Sequence, residues 1–250
     1  MEEVTFIVED GVFAADKAKL IDSCAFFEAL LSERVGDDLI ELRATPMMAF
    51  EQVINFVKTG ELNMDSMNGS QLVDLLSLAF EYKYITLVDY ISLNLTFNRL
   101  DKLDVVSVGK IFDLASLNLF TDIIQQCLDF LENQWNQIKK SIEFTSFSKN
   151  LIISLIKRDS LAEYEIYIFL AVQRWYMKNQ CDDNLFVFNF IRWNLISKSQ
   201  FSSCYKFVRE KNILTEDQIE RFQNGIFTAE EQCPQRALPT IKYEFPEDDD

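Results

Sequence analysis

The stretch that decides the fold is FAADKAKLIDSCAFFEALL, residues 13–31. It reads as the end of a strand, a turn and an amphipathic helix. The apolar side chains follow one another at mixed three- and four-residue spacing, which places them on one face of a helix: Leu20, Phe26, Phe27, Leu30 and Leu31. A compact strand-to-helix unit therefore begins only a few residues into the chain.

The residues on both sides of this stretch extend the same alternation of strand and helix. Upstream, VTFIV (residues 4–8) and the turn Glu9-Asp10-Gly11 predict a β-hairpin in which the Asp-Gly pair supplies the positive φ. Downstream, residues 39–42 predict a short strand, and residues 49–58 predict a helix that Gly60 ends. From residue 70 onward almost every segment has a helical period.

The composition favours a protein with long helices. Hydrophobic residues make up 48% of the chain, while only 6 Gly and 4 Pro are present, too few for a turn-dense β-sandwich. No apolar run approaches the ~18 residues of a membrane span, and the first ten residues lack the basic start of a signal peptide. The five cysteines are scattered without CxxC spacing, which favours reduced, buried thiols in a cytoplasmic protein over disulfides or a zinc site.

The net charge of −16 is unevenly distributed along the chain. Residues 1–70 hold 14 Asp and Glu against 5 Lys and Arg, and residues 244–250 hold five acids and no base. Nucleic acids and phospholipid surfaces are bound through basic patches, so neither is an expected partner. The acidic N-terminal region either meets a basic protein surface or serves solubility.

The residue content also argues against an enzyme. The chain has no histidine, which excludes Ser-His and Cys-His nucleophile pairs and histidine-ligated metals. The acid clusters Asp37-Asp38, Asp182-Asp183 and 248–250 stand in polar, loop-like settings that are typical of solvated carboxylates. With no glycine-rich phosphate loop either, we expect no catalytic site, no cofactor and no metal.

Two helical segments resemble each other. LLSLAFEYKYITLVDYI (75–91) and IFDLASLNLFTDIIQQC (111–127) align Ala79 with Ala115 and Tyr84 with Phe120. They predict stacked helical hairpins, since two copies are too few for a solenoid. Further helices are predicted at residues 151–157, 164–178, 184–194, 200–210 and 216–223, the last with a capping box that begins at Thr215. Residues 229–250 are expected to be an acidic tail that is either disordered or loosely docked.

The opening sequence resembles the start of a BTB/POZ domain, whose members read F-x-A-H-[KR]-x-x-L and then a helix ending F-x-x-[LM]. The matching positions are Phe13, Ala15, Lys17, Leu20, Phe27 and Leu30. VVSVGKIFDLA (105–115), RDSLAEYEIYIFLAVQRWY (158–176) and IRWNLIS (191–197) are similar to a BACK domain. The resemblance implies an α+β, mostly α chain: a BTB/POZ domain with a small sheet flanked by helices (1–96), an all-helical BACK domain (97–228) and the tail (229–250).

The resemblance also implies a function. BTB-BACK proteins typically act as non-enzymatic substrate adaptors of cullin-3 RING ubiquitin ligases, with cullin-3 and a substrate protein, here unknown, as partners. Carried over by position, the residues that face the cullin are Phe27, Leu31, Val35, Asp37 and Tyr84. In the alternative interpretation Phe27, Leu31 and Tyr84 are core residues. A different function, a scaffold that pairs with another BTB protein without binding a cullin, also fits.

The sequence departs from the family pattern at three points, and each departure leads to an expectation about structure or function. Asp16 replaces the family histidine, and because its ordinary pKa is about 3.9 it must reach solvent or a partner such as Lys17. The sequence starts at the first hairpin, without the preceding helix that many BTB domains exchange in a dimer, so homodimerisation by that route is not expected. Only a short acidic tail follows the BACK pattern here, and if this sequence is the whole product, substrate capture needs another surface.

Overall fold

The computed structural model describes residues 2–32, 39–227 and 236. The chain divides into two compact units, an N-terminal unit (Met1–Phe130) and a C-terminal unit (Leu131–Asp250). The α+β, mostly helical class is as predicted. The predicted limits of the two family domains and of the tail remain predictions, because a compact unit and a family domain need not share their boundaries.

The secondary structure consists of three strands and a succession of helices within the described ranges. The strands are β1 (Glu3–Val8), β2 (Gly11–Asp16) and β3 (Leu39–Leu42). The α-helices are α1 (Lys17–Ser23), α2 (Ala25–Ser32), α3 (Met47–Thr59), α4 (Gly69–Glu81), α5 (Ile85–Asn94), α6 (Phe97–Leu100), α7 (Val105–Leu117), α8 (Thr121–Asn133), α9 (Trp135–Ile138), α10 (Lys149–Ile156), α11 (Glu165–Lys178), α12 (Lys198–Glu210) and α13 (Glu216–Gln223). None of the helices in the described ranges has the length and apolar character needed to cross a membrane.

The sheet has the order β2-β1-β3. The central strand pairs antiparallel with β2 and parallel with β3, so that Phe6 lies opposite both Phe13 and Ile40. Alternate residues of β1, namely Val4, Phe6 and Val8, are buried, as expected for a strand with one face against the core.

The hairpin is confirmed, but the prediction that Asp-Gly forms its turn is wrong. The turn residues are Glu9, with φ of 52°, and Asp10, while Gly11 is the first residue of β2. A Cβ atom at Gly11 would lie 2.6 Å from the ring of Phe13 and 3.0 Å from the Sδ atom of Met47. A side chain at position 11 would force the Phe13 ring and the Met47 side chain to move, so close packing, and not backbone conformation, favours glycine here.

The amphipathic stretch forms two helices where one was expected. Cys24 is extended (φ −161°, ψ 159°) and separates α1 from α2. Asp16 caps the start of α1, where its carboxylate accepts a hydrogen bond from the Lys19 backbone N–H at 3.1 Å. Lys17, the expected partner, forms an ion pair with Glu2 at 2.9 Å. Asp16 is therefore accommodated as a helix cap, a role suited to a short carboxylate.

The two similar segments form helical hairpins with the same geometry at the bend. In each, the aromatic residue after the first helix donates its backbone N–H to the carbonyl of the aligned alanine, Tyr84 to Ala79 and Phe120 to Ala115, both at 2.9 Å. The residue before each aromatic has a positive φ, 51° and 62°. Both alanines are fully buried, and α4 packs against α7, which confirms the prediction of stacked hairpins.

The C-terminal unit is built around aromatic side chains and contains all three tryptophans, Trp135, Trp175 and Trp193. The indole of Trp175 donates to the carbonyl of Phe147 at 2.8 Å. The helix predicted at 184–194 is wrong: the chain forms 3-10 helix at Asp182–Phe190 and again at Trp193–Leu195. Phenylalanines at every second position in FVFNF do not fit the 3.6-residue period of an α-helix.

Two further expectations concern the cysteines and the C-terminal tail. Cys24, Cys127 and Cys204 are buried thiols, but Cys181 is exposed, and Cys233 lies outside the described residues. Arg236, in the segment expected to be disordered or loosely docked, is buried with 5% of its surface exposed. One arginine of this segment therefore has a defined place in the C-terminal unit.

Candidate protein-interaction surface

Helix α2 is held in place by its buried face. Phe27 is fully buried and Leu31 is 2% exposed. The Phe27 ring lies 5.7 Å from the ring of Phe6, 6.4 Å from that of Phe50 and 5.6 Å from that of Tyr82, between centroids. Phe27 and Leu31, both predicted to face the cullin, are thus placed in the core of the N-terminal unit.

Tyr84 lies in the core as well, at the start of α5. It is 4% exposed, and its ring meets the ring of Phe56 edge-on with centroids 5.6 Å apart. Burial raises the pKa of Tyr84 and the nearby Cys24 thiol adds to this, while hydrogen bonds with Ser23 and Thr86 act in the opposite direction. Tyr84 therefore joins the end of α1 to the start of α5 and remains protonated at neutral pH.

Val35 and Asp37, the other two predicted contact residues, lie outside the described residues. Residues 33–38, which include both, follow Ser32, the last residue of α2, and precede Leu39, the first residue of β3. Leu31 and Ile40 are each 2% exposed, so buried side chains fix the chain on both flanks. The structure therefore defines the two ends of the predicted contact segment.

Sequence reasoning missed the aromatic pair that supports the exposed side of α2. The half-buried ring of Phe26 stacks on the ring of Tyr82, with centroids 3.8 Å apart and an angle of 1° between the planes. Tyr82 is 1% exposed, and burial is the main cause that raises its pKa. Glu28 and Ser32 lie exposed on the same helix. Tyr82 directly follows the last residue of α4, and no local sequence pattern connects it with Phe26.

The described surface of the first seventy residues is acidic. The exposed acids among the first seventy residues are Glu2, Glu3, Glu9, Asp10, Asp22, Glu28, Glu41, Glu61 and Asp65. Acidic surfaces attract basic partners and repel nucleic acid. Helix α2 itself presents the exposed Glu28 together with the partly exposed ring of Phe26, which suits contact with another protein.

Comparison with known protein families accounts for most of the chain. The BTB/POZ domain family matches residues 1–98. The BACK family, described as BTB And C-terminal Kelch, matches residues 108–206. The two matches follow one another in the order that the sequence motifs predict.

Individual relatives carry the same domain name. The chain is 29% identical over 221 residues to BTB/POZ domain-containing protein 9 of Homo sapiens, an alignment that covers 87% of this chain and 35% of that protein. It is 26% identical over 250 residues to the Drosophila melanogaster protein of the same name, covering 98% of this chain and 32% of the relative. BTB/POZ domain-containing protein 17 of Xenopus tropicalis is 28% identical over 164 residues, covering 63% and 34%. The chain thus spans about a third of the length of these relatives.

Four motifs in the sequence predict the likeness to BTB domain-containing protein 9. They are DLLSLAFEYKY (74–84), FDLASL (112–117), FTSFSK (144–149) and RDS (158–160). The identity found over most of the chain confirms this prediction.

Proposed function

The chain belongs to the family of protein-interaction adaptors that join a BTB/POZ domain to a BACK domain, and on this premise we propose that it binds cullin-3 as an adaptor of a RING ubiquitin ligase. The tandem of the two domains in one chain is the observation that carries the proposal. In this role the protein makes and breaks no covalent bond and acts by bringing a substrate protein to the ligase. The cytoplasm is the compartment in which its buried thiols stay reduced.

The proposed contact is the segment after α2. The side chain of Val35 enters an apolar pocket on the cullin, and the carboxylate of Asp37 pairs with a donor at the rim of that pocket. Support comes from the flanks of the segment, because the buried side chains of Leu31 and Ile40 hold both of its ends. A short segment between fixed ends loses less conformational freedom on binding than a free peptide does.

Phe27, Leu31 and Tyr84 serve this proposal as positioning residues. Their side chains are buried, so they act by holding α2 and the start of α5 in place. The exposed carboxylates of the N-terminal unit speed the encounter if the cullin surface is basic. The proposal therefore assigns direct contact to Val35 and Asp37.

Isothermal titration of the purified full chain with the N-terminal region of cullin-3 tests the proposal. We expect Val35→Ala with Asp37→Ala to weaken binding at least ~30-fold, since loss of one interface hot spot costs about 2 kcal/mol and a factor of ten is about 1.4 kcal/mol. The matched control is Asp10→Ala with Val12→Ala, which changes the same residue types at exposed positions of the hairpin. This control should bind like the parent chain.

Each outcome has a separate meaning. Binding that survives the Val35 and Asp37 changes would remove the site assignment and leave the adaptor role in place. Failure of the parent chain to bind cullin-3 would overturn the proposal in favour of a scaffold that associates with another BTB protein. Size-exclusion chromatography with light scattering would then measure association with itself or with a second BTB protein.

A further inference from the structure

A buried carboxylate stands at the start of α11. The side chain of Glu165 has no exposed surface, and its two oxygen atoms accept three hydrogen bonds. Oε2 accepts from Nε of Arg236 at 2.7 Å, while Oε1 accepts from Nη2 of the same residue at 3.2 Å and from the backbone N–H of Arg192 at 2.8 Å. Arg236 is 71 residues away along the chain, so local structure does not impose this contact.

The other edge of the guanidinium meets the end of a helix. Nη1 of Arg236 donates to the carbonyl of Arg158 at 2.7 Å, and Nη2 donates to the carbonyl of Ile156 at 2.5 Å. Ile156 is the last residue of α10, where carbonyl groups lack partners within the helix and carry partial negative charge. The site thus offers a carboxylate on one side of a planar cation and two backbone carbonyls on the other.

This set of acceptors fits a guanidinium group better than an ammonium group. Arginine presents five N–H donors in a rigid plane, whereas lysine presents one compact charge that cannot reach both sides of the site at once. Without the cation, the Glu165 carboxylate would be buried with the Arg192 N–H as its single described donor. Leaving a charged acceptor buried and underpaired is strongly unfavourable, so the site requires an occupant.

We propose that Glu165 and the carbonyls of Ile156 and Arg158 form an arginine-binding site, and that Arg236 fills it reversibly as a plug. The plug ties Arg236 to the C-terminal unit. When Arg236 is absent, the site takes an alkylguanidinium ion from solution. This site consists of residues of the C-terminal unit, and its tests do not depend on the contact proposed for cullin-3.

Limited proteolysis with trypsin measures release of the plug, because trypsin cuts after arginine. In the folded parent chain the bond after Arg236 should be cut slowly. Glu165→Gln leaves the cleavable arginine unchanged but removes the charge that holds it, and should speed cleavage after Arg236 about tenfold or more. The control Glu216→Gln removes a solvent-exposed ion pair with Arg209 and should leave this rate unchanged. Peptide mass spectrometry identifies the bond that is cut.

A second experiment tests the ligand class through thermal stability. Arg236→Ala should lower the Tm by roughly 6–20 °C, as expected when one partner of a buried ion pair is removed. Ethylguanidinium at millimolar concentration should restore part of this loss. Ethylguanidinium should not change the Tm of Arg209→Ala, the control variant that loses a surface arginine. The Tm of Arg236→Lys should also lie below that of the parent chain. This variant replaces Arg236→Ala as the test if the alanine variant does not fold.

The outcomes that overturn the proposal are distinct. Rapid cleavage after Arg236 in the folded parent chain, or a Tm of Arg236→Ala equal to that of the parent, would show that the plug is not seated. Full stability of Arg236→Lys would show that any positive charge suffices. Equal effects of ethylguanidinium on Arg236→Ala and Arg209→Ala, or no effect on Arg236→Ala, would refute a specific guanidinium site.

Discussion

Replacing Phe27 with alanine should unfold the N-terminal unit at a much lower temperature. The ring is fully buried and lies 5.3–6.4 Å from four other aromatic rings, centroid to centroid. Removing a buried phenylalanine costs about 3–5 kcal/mol, partly from lost transfer energy and partly from the cavity left behind. For a chain of this length each 1 kcal/mol lowers the Tm by ~2–4 °C, so we expect a fall of roughly 6–20 °C.

The neighbouring Phe26 provides a control of the same residue type on the same helix. Its ring is half-buried and stacks on Tyr82, so Phe26→Ala should cost only about 1 kcal/mol. Thermal unfolding followed by far-ultraviolet circular dichroism measures both variants. A loss below ~1 kcal/mol for Phe27→Ala, or equal losses for the two variants, would refute the placement of Phe27 in the core.

The same position separates a core role from a contact role. Phe27→Leu keeps an apolar side chain and lowers stability less than alanine does. If Phe27 only positions α2, the folded leucine variant should bind cullin-3 with the affinity of the parent chain. A loss of affinity in a variant that is fully folded at the assay temperature would instead assign Phe27 to the interface.

Three further outcomes are expected. Gly11→Ala should lower the free energy of unfolding by about 1–3 kcal/mol in a denaturant titration, because the new Cβ meets the Phe13 ring at 2.6 Å, and an unchanged midpoint would contradict this packing. Thr215→Ala removes the hydrogen-bonding cap of α13 and should lower the free energy of unfolding by ~1 kcal/mol in the same titration. An unchanged free energy of unfolding would contradict the capping geometry. Burial raises the pKa of the Cys127 thiol to about 12, so at pH 8 iodoacetamide should label the exposed Cys181 and spare Cys127. Mass spectrometry of tryptic peptides identifies the labelled cysteine, and labelling of Cys127 in the folded protein would contradict its burial.

Helix ends with strong local signals could be predicted from the sequence. Gly60 ends α3 in the left-handed conformation, with φ of 73° and a backbone hydrogen bond to Phe56. Thr215 and Gln218 form the predicted capping box of α13. In both cases the deciding interactions span only three or four residues, so the local sequence contains all of the information.

Features that depend on distant residues could not be predicted in this way. Gly11 is explained by the approach of Phe13 and Met47, and the second of these comes from another element of the fold. Arg236 finds its partner Glu165 at a separation of 71 residues, within a segment whose composition suggests disorder. Long-range packing overrides local preference at both positions.

The same difference between local signals and distant contacts applies to the candidate site. The family pattern identified α2 and Tyr84 but did not tell buried positions from exposed ones. Phe27 and Leu31 follow the spacing of a buried helical face, and that spacing alone favours the core. The pairing of Phe26 with Tyr82 joins two helices far apart in the sequence, so no local pattern could show it.

The confinement of all three tryptophans to residues 131–250 has a spectroscopic consequence. Light at wavelengths absorbed only by indole excites just that half of the polypeptide, so emission records the melting of the C-terminal unit while tyrosine and far-ultraviolet signals record both. Trp135 donates to the Glu163 carboxylate and Trp175 to a backbone carbonyl, and both bonds are lost to water on unfolding, which shifts the emission to longer wavelength. Heating one sample with both signals monitored therefore reveals whether the halves come apart together or in turn, with no label attached.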